Sequence, residues 1–378
     1  MQTSRKITNY PLFIKIFNWE YWPFNVVYGP IYLYWFWLCI RARSFFFFNA
    51  ANPTIKNGGF LLESKKDIYD LIPQEYYPKT VFFYAHTSQK EIRQQLEISK
   101  LLFPLIGKPD IGMRGLAVKK LDNLADVLAY AQHSKVNFLL QEFVALEQEV
   151  GIFYYRYPNK QKGCITGIVG KEFLSVTGNG VSTIEELLQQ DKRSILQLKT
   201  LSETFGVELL QVLPANEKYL MVPYGNHCRG AKFLDVTDLA DDELIAAIDE
   251  ICKQIPGFYF GRMDIRYHTW EELKQGKNFS IIELNGAGSE PTHMYDPKHS
   301  VFFAWKEIIR HWNILLRVSM LNHTVQRIPY MSLHSGLRMF KENNAYVKMI
   351  EPANSAHTIK QINDFIEMNG YPASQTSL

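Results

Sequence analysis

Two stretches of the chain carry polar side chains where a hydrophobic core would hold hydrocarbon. "GFYFGRMDIRY" contains Arg262, Asp264 and Arg266, and "IIELNGAGSEPTH" contains Glu283 and Asn285. Both are dense in Ile, Phe, Tyr or Met, so both read as buried strands. Side chains alternate between the faces of a strand, so the first three residues share one face and the last two share another. If the strands are neighbours, all five point into one cleft. Asp264, Glu283 and Asn285 supply the oxygen ligands that a hard divalent cation such as Mg²⁺ requires, with phosphate and water completing its shell. Arg262 beside them suits a developing phosphoryl charge. The competing reading is a buried ion-pair network. The loop "GAGSEPTH" that follows could close over a ligand.

A metal site of this kind calls for a phosphate-handling partner upstream. No GxxxxGK[ST] occurs, so there is no P-loop. "IGKPDIGMRG" offers Lys108 at the end of an apolar strand, then a turn with Gly112, Arg114 and Gly115. Lysine presents a point charge to phosphate, and glycines let backbone N–H groups approach its oxygens. An ordinary turn is the alternative. Further on, in "FLLQEFVALEQEVGIF", a strand leads into Gln141, Glu142, Phe143 and Val144, whose backbone can meet a base edge. Glu149 could take a pair of ribose hydroxyls; a plain acidic turn is the other reading.

These residues need a scaffold. "TVFFYA" reads as a strand, and Ser88 with Glu91 three residues on has the spacing of a capping box for a helix over about 88–102. "NFLLQEFV" and "EVGIFYYRYP" read as strands. "CITGIVGKEFLSVTGNGVSTIEELLQQD" reads as strands, a Gly-rich loop and a helix starting near Thr183. "NLADVLAYAQHS", "ELIAAIDEICKQI" and "KHSVFFAWKEIIRHWNILLRVSML" read as helices. Strands and helices mix without regular βαβ alternation, so the fold class expected is α+β. The expected division is an aromatic segment at 1–50, a polar linker and lead-in at 51–80, a main domain at 81–297 and a helical region at 298–378.

The N-terminal segment is unlike the rest. From Tyr21 to Ile40 no residue is charged, and Trp and Tyr dominate. Pro23, Gly29 and Pro30 interrupt it, which disfavours a simple transmembrane helix. Trp and Tyr prefer the membrane interface, and Arg5, Lys6, Lys15, Arg41 and Arg43 flank the stretch. The expectation is an element lying on the cytoplasmic face of a membrane, with a core or dimer-interface role and a true span as alternatives. The formal net charge of +3 argues against a nucleic-acid partner. Cys39, Cys164, Cys228 and Cys252 stand singly with no CxxC, which suggests neither zinc nor disulfides and fits a reducing compartment. Hydrophobic residues make up 47%, enough for a sizeable core.

Taken in order, the strand-Lys with its Gly loop, "QEFV" followed by a glutamate, "GRMDIR" and "IIELN" resemble the ATP-grasp superfamily, and within it the D-alanine–D-alanine ligase-like carboxylate–amine ligases. The resemblance runs over about Thr80 to Pro297. It implies two α+β subdomains gripping ATP, Lys108 and the 110–115 turn on the phosphates, and Glu142 to Val144 at adenine. It further implies Glu149 at ribose, Asp264, Glu283 and Asn285 on two Mg²⁺ (or Mn²⁺ in their place), and Arg262 on the transferring phosphoryl group. "SVTGNGVSTIEELL" is similar to a stretch of related peptide-forming ligases. Two features depart from the family. The usual Rossmann-like domain ahead of the grasp is short here, and no match to the residues that read D-alanine is evident.

The reaction implied is activation of a carboxylate as an acyl phosphate, then attack by an amine. Candidates for holding the substrate carboxylate are His227, Arg229, Arg266 and His293, since arginine is the preferred partner. The rivals are an ATP-grasp kinase that stops at phosphoryl transfer and a membrane-attached nucleotide-binding module without turnover. The motifs all begin after residue 80, so the first 49 residues should be dispensable for nucleotide binding. Oligomeric state is left open.

Overall fold

The computed structural model describes residues 10–368 except 113, 114, 147, 223, 224 and 226, with backbone alone for 228 and 351–368. Its strands are β1 (Thr80–Phe83), β2 (Leu105–Pro109), β3 (Lys119–Leu121), β4 (Phe138–Glu142), β5 (Gln148–Tyr155), β6 (Cys164–Glu172), β7 (Ser175–Thr177), β8 (Lys218–Leu220), β9 (Lys232–Asp235), β10 (Phe260–Tyr267) and β11 (Phe279–Asn285). They form a four-stranded sheet in the order β1-β4-β2-β3, a five-stranded sheet in the order β11-β10-β5-β6-β9, and the small pair β7-β8. Every pairing is antiparallel. The class is α+β with a helical N-terminal region.

The helices start where the sequence places their caps. Ser88 Oγ accepts from the Glu91 amide at the head of Gln89–Ser99, and Thr183 with Glu186 forms a complete capping box ahead of Ile184–Leu188. Gln89–Ser99 and Leu124–His133 cover the four-stranded sheet through Ile92 and Val127, which meet Phe83, Leu105 and Phe138. One face of the five-stranded sheet is buried by Asp242–Lys253 and by Lys65–Leu71. The second of these helices lies in the stretch 51–80. That stretch, which its polarity marks as a linker, carries Ile68 and Tyr69 into the main core.

The other end of the five-stranded sheet is closed by the aromatic N-terminal segment and the helix Val301–Val325. Leu38, Phe47 and Phe48 pack with Phe153, Phe260, Leu315 and Val318, and the first two are wholly buried. The helix Tyr32–Ala42 is apolar on two sides. Leu38, Cys39 and Ala42 face inward, while Leu33, Phe36, Trp37 and Ile40 are exposed at i, i+3, i+4 and i+7, a single stripe. Leu12, Phe13, Ile16 and Phe17 of the helix Pro11–Phe17 are exposed as well. Among the described residues no helix is long and apolar enough to cross a membrane.

Candidate active site

The five residues at the opening of the sequence argument do share a cleft. β10 and β11 are neighbours, with Arg262 opposite Asn285 and Asp264 opposite Glu283. On β10, Met263 and Ile265 enter the core and Arg262, Asp264 and Arg266 face the cleft. The register breaks after Asp264 by a bulge that leaves Ile282 without an opposite residue. The Ile282 carbonyl, not taken by the ladder, accepts from Tyr69 Oη and from Lys108 Nζ at 3.3 Å. On the far side of β10 sits Gly151, opposite Asp264. A Cβ there would stand 2.7 Å from Val169 Cγ1 and 3.0 Å from Asp264 Oδ1, so only glycine lets the carboxylate lie flat on the strand.

Asp264 is clamped by cations. Arg262 donates to both its oxygens, at 2.9 and 3.2 Å, and Lys171 Nζ is 3.2 Å from Oδ2. Burial pushes the Asp264 carboxyl up, but Arg262 and Lys171 outweigh it and hold it below the usual carboxylate range. Glu149 is clamped likewise, by Lys171 at 2.7 Å and Arg266 at 3.1 Å. Glu283 is looser: Lys65 Nζ is 3.9 Å away, and the side chain keeps about a third of its exposure.

Lys108 enters from the four-stranded sheet, so the cleft lies between the two sheets. Its ammonium is buried and donates to three neutral acceptors: Tyr69 Oη and Gln141 Oε1, each at 2.8 Å, and the Ile282 carbonyl. Burial pushes Lys108 down to about 8, against a smaller upward pull from Glu283. The charged form is therefore disfavoured in the folded chain, with the full effect below about pH 8 and a fading one as the pH rises toward the value of an exposed lysine. A polyphosphate in the cleft would restore the charge. If a nucleotide binds in this cleft, its binding just above pH 8 is expected to take up a proton, and its affinity to fall as pH rises through that value. Calorimetry in two buffers of different ionisation enthalpy measures the uptake, and Lys108→Ala should abolish it and raise the KM for ATP. Uptake that survives the substitution would remove Lys108 from phosphate binding.

The cleft encloses about 530 Å³. Lys108, Gly112, Gly115, Gln141, Glu142, Phe143, Val144, Glu149, His227, Arg262, Asp264, Arg266, Glu283 and Asn285 all line it. Gly115 has a φ of 67°, the left-handed region that favours glycine. Arg114 lies outside the described residues. Several of these side chains are engaged in other ways than the sequence suggests. Gln141 holds Lys108 and donates to Thr80 Oγ1 at 2.7 Å, so its side chain serves the lysine rather than a base. The amides of Glu142 and Phe143 donate to the carbonyls of Lys79 and Pro104. Both Glu149 oxygens are taken by cations, so in this state it is an ion-pair centre rather than a free acceptor for hydroxyls.

Of the substrate candidates, His227 lines the cleft but pairs with Glu20 at 2.9 Å. Arg266 spans Glu149 and the Leu146 carbonyl. Arg229 and His293 do not line the cleft: Arg229 donates to the Gly115 carbonyl at 3.0 Å, and His293 is buried against Glu307 at 3.1 Å. Lys171, Lys65, Glu63 and Glu290 also line the cleft, and Tyr69 holds Lys108 behind it; none of them stands out in the sequence. Nor does Glu20, which brings the N-terminal segment into the cleft and is held by Arg193 and His227.

The oxygen donors that a hard cation would use here are those of Asp264, Glu283 and Asn285, gathered on the paired strands; those of Asp264 are engaged by Arg262 and Lys171, and Glu283 is the freer carboxylate. Among the described lining residues seven Asp and Glu side chains meet five Lys and Arg. That balance suits a polyphosphate only if divalent cations accompany it. Among the described residues no group of three or more His, Cys, Asp or Glu is placed to hold a metal ion.

No family model matches the chain. No curated protein matches it in sequence. Solved structures similar to it include a bifunctional glutathione synthetase from Pasteurella multocida (12% identity over 70% of this chain and 36% of that one, TM-score 0.38). A D-Ala:D-Ser ligase from Enterococcus faecalis is similar at 14% identity, over 68% of this chain and 61% of that one, TM-score 0.38. A D-alanine–D-alanine ligase from Bacillus anthracis is similar at 11% identity, over 70% of this chain and 68% of that one, TM-score 0.38. The chain thus spans between about a third and two thirds of the length of these structures.

Proposed function

We propose that the chain is an ATP-dependent carboxylate–amine ligase of the ATP-grasp type. The observation that carries the reading is the β10–β11 pair. It presents Asp264 opposite Glu283 and Arg262 opposite Asn285, facing a buried lysine from a second sheet across a cleft of nucleotide size. In this reading Lys108 and the 110–115 stretch would hold the phosphates, and Glu142 to Val144 would border the base. Asp264, Glu283 and Asn285 would hold Mg²⁺, which supplies charge neutralisation to the phosphates when bound.

A carboxylate is a poor electrophile because its charge repels nucleophiles. Its oxygen forms a bond to the γ-phosphorus while the bond from that phosphorus to the β-γ bridging oxygen breaks, and ADP leaves. An amine then adds to the acyl carbonyl, the carbon–oxygen bond to phosphate breaks, and the amine proton is lost to base. The protein's part is alignment and charge: Arg262, already turned along the strand by Asp264, points Nη1 toward the Glu290 carbonyl at the cleft's inner end. Hydroxylamine tests the reading, because it captures acyl phosphates as hydroxamates. ATP-dependent hydroxamate formation from a carboxylic acid is the expected result. Phosphate transfer to an alcohol with no hydroxamate would leave a kinase, and nucleotide binding without either would leave a binding module.

We further propose a membrane surface as a partner, on a separate observation. The outward stripe of Leu33, Phe36, Trp37 and Ile40, with exposed Arg41 and Arg43 at its end, has the composition of an interfacial helix.

A further inference from the structure

A second cavity, of about 700 Å³, abuts the first. The two share Phe24, Glu63, Gly112, Leu116, Arg262, Asn285 and Glu290, so they meet at the end of the β10–β11 pair. The second cavity is walled by the N-terminal segment, the 59–63 stretch, Val301–Val325 and the long helix Leu333–Met368. Trp35, Phe46, Phe48, Phe60 and Trp312 give it an aromatic lining. Its charged side chains, Glu63, Arg262 and Glu290, all belong to the shared rim. His311 at the other end is pushed down to about 3 by burial, so it too is uncharged at neutral pH. A cavity of this size and polarity takes a mostly apolar ligand with few polar anchors.

The rim supplies those anchors. Asn285 Nδ2 is buried and has no partner, an unmet donor that costs free energy until something accepts from it. Arg262 Nη1 makes only a long contact, 3.4 Å, to the Glu290 carbonyl. Arg262 stands opposite Asn285 on the strand pair at this rim, a guanidinium beside an amide donor, which suits an anion; of the two rim carboxylates, Glu290 accepts from Tyr28 and Tyr295, and burial pushes the Glu63 carboxyl up.

We propose that the second cavity holds the substrate that is activated, a carboxylic acid with a large apolar chain, its carboxylate at Arg262 and Asn285 and its chain among the aromatic residues. This rests on the ligase reading for the chemistry, but the cavity assignment can be measured without turnover.

The experiment has two arms on the full-length protein. In the first, cis-parinaric acid is bound by fluorescence and displaced by acetate, octanoate, dodecanoate and dodecylamine. Affinity is expected to rise about fourfold for each methylene buried, until the cavity is full. Val347→Trp puts an indole into the cavity from the Leu333–Met368 helix. It should weaken the fatty acid at least tenfold while the melting temperature stays within a few degrees. Affinity independent of chain length, or unchanged in Val347→Trp, would overturn the assignment, since the acid would then sit on the exposed N-terminal stripe. Dodecylamine binding better than dodecanoate would overturn the choice of an acid.

The second arm asks for ATP-dependent hydroxamate from the same acids. Formation from dodecanoate but not acetate supports the proposal. Formation from short polar acids alone overturns it and leaves the ligase reading intact. Tight, length-dependent binding of dodecanoate with no hydroxamate from any acid supports the cavity assignment and sinks the ligase reading instead.

Discussion

Glu283→Gln should reduce ATP-dependent turnover by a thousandfold or more while changing ATP affinity by no more than about tenfold, or 1.4 kcal/mol. Glu283 is the one carboxylate of the strand pair not locked by a close cation; its nearest partner, Lys65, is 3.9 Å away. The substitution keeps size and shape and removes one unit of negative charge from the donor set. Asp264 is a poorer test of the same idea. Its removal would leave Arg262 buried without its carboxylate and Lys171 with Glu149 alone, and breaking a buried pair destabilises by about 3–5 kcal/mol. Steady-state kinetics over a Mg²⁺ titration, nucleotide binding and a melting curve together decide the matter. Near-normal turnover at ordinary Mg²⁺ would mean that the metal is held elsewhere. A large drop in melting temperature would make Glu283 a structural partner of Lys65.

The strand pair was legible because two regularities agree on it: apolar residues dense enough for buried strands, and charged or amide side chains at every second position within them. That logic says which side chains share a face and that all five meet in one cleft if the strands are neighbours; the register of Asp264 with Glu283 is set by the pairing itself. Lys171 was not legible. In "GIVGKEF" a single lysine on a strand reads as its exposed face, and only the antiparallel pairing of β5 with β6 brings that face beside Glu149 and Asp264. Tyr69 and Lys65 were hidden in a stretch whose Asn, Gly and Lys content signals a linker, although the Ser64 cap was there to be read. His293 looked available because its partner, Glu307, lies on the following helix and only the fold brings them together. The aromatic segment was the hardest case. A buried helix and an interfacial helix both want Trp, Tyr and Phe, and Tyr32–Ala42 satisfies both demands on opposite sides.

Deletion of residues 1–49 is therefore expected to unfold the protein, contrary to what the position of the motifs implies. Leu38 and Phe47 are wholly buried and Phe48 nearly so, packed on Phe153, Phe260 and the helix Val301–Val325. Truncating one buried Phe to Ala costs about 3–5 kcal/mol, and domains have only about 5–15 kcal/mol to lose. The deletion would also strip Glu20 from Arg193 and His227, leaving a buried guanidinium without its carboxylate, and would open both cavities along the side lined by Phe24. The measurement is soluble yield, circular dichroism and nucleotide binding of the truncated chain beside the full one. A soluble truncated protein that binds ATP as well as the full chain would show that the segment is an appendage. Membrane attachment needs a gentler probe. Leu33→Ser with Trp37→Ser alters the outward stripe and leaves the inward Leu38 and Cys39 in place. Loss of co-sedimentation with anionic vesicles, at an unchanged melting temperature, would assign the outward face to lipid and the inward face to the fold. Unchanged co-sedimentation would take the stripe away from the membrane and leave it to another occupant.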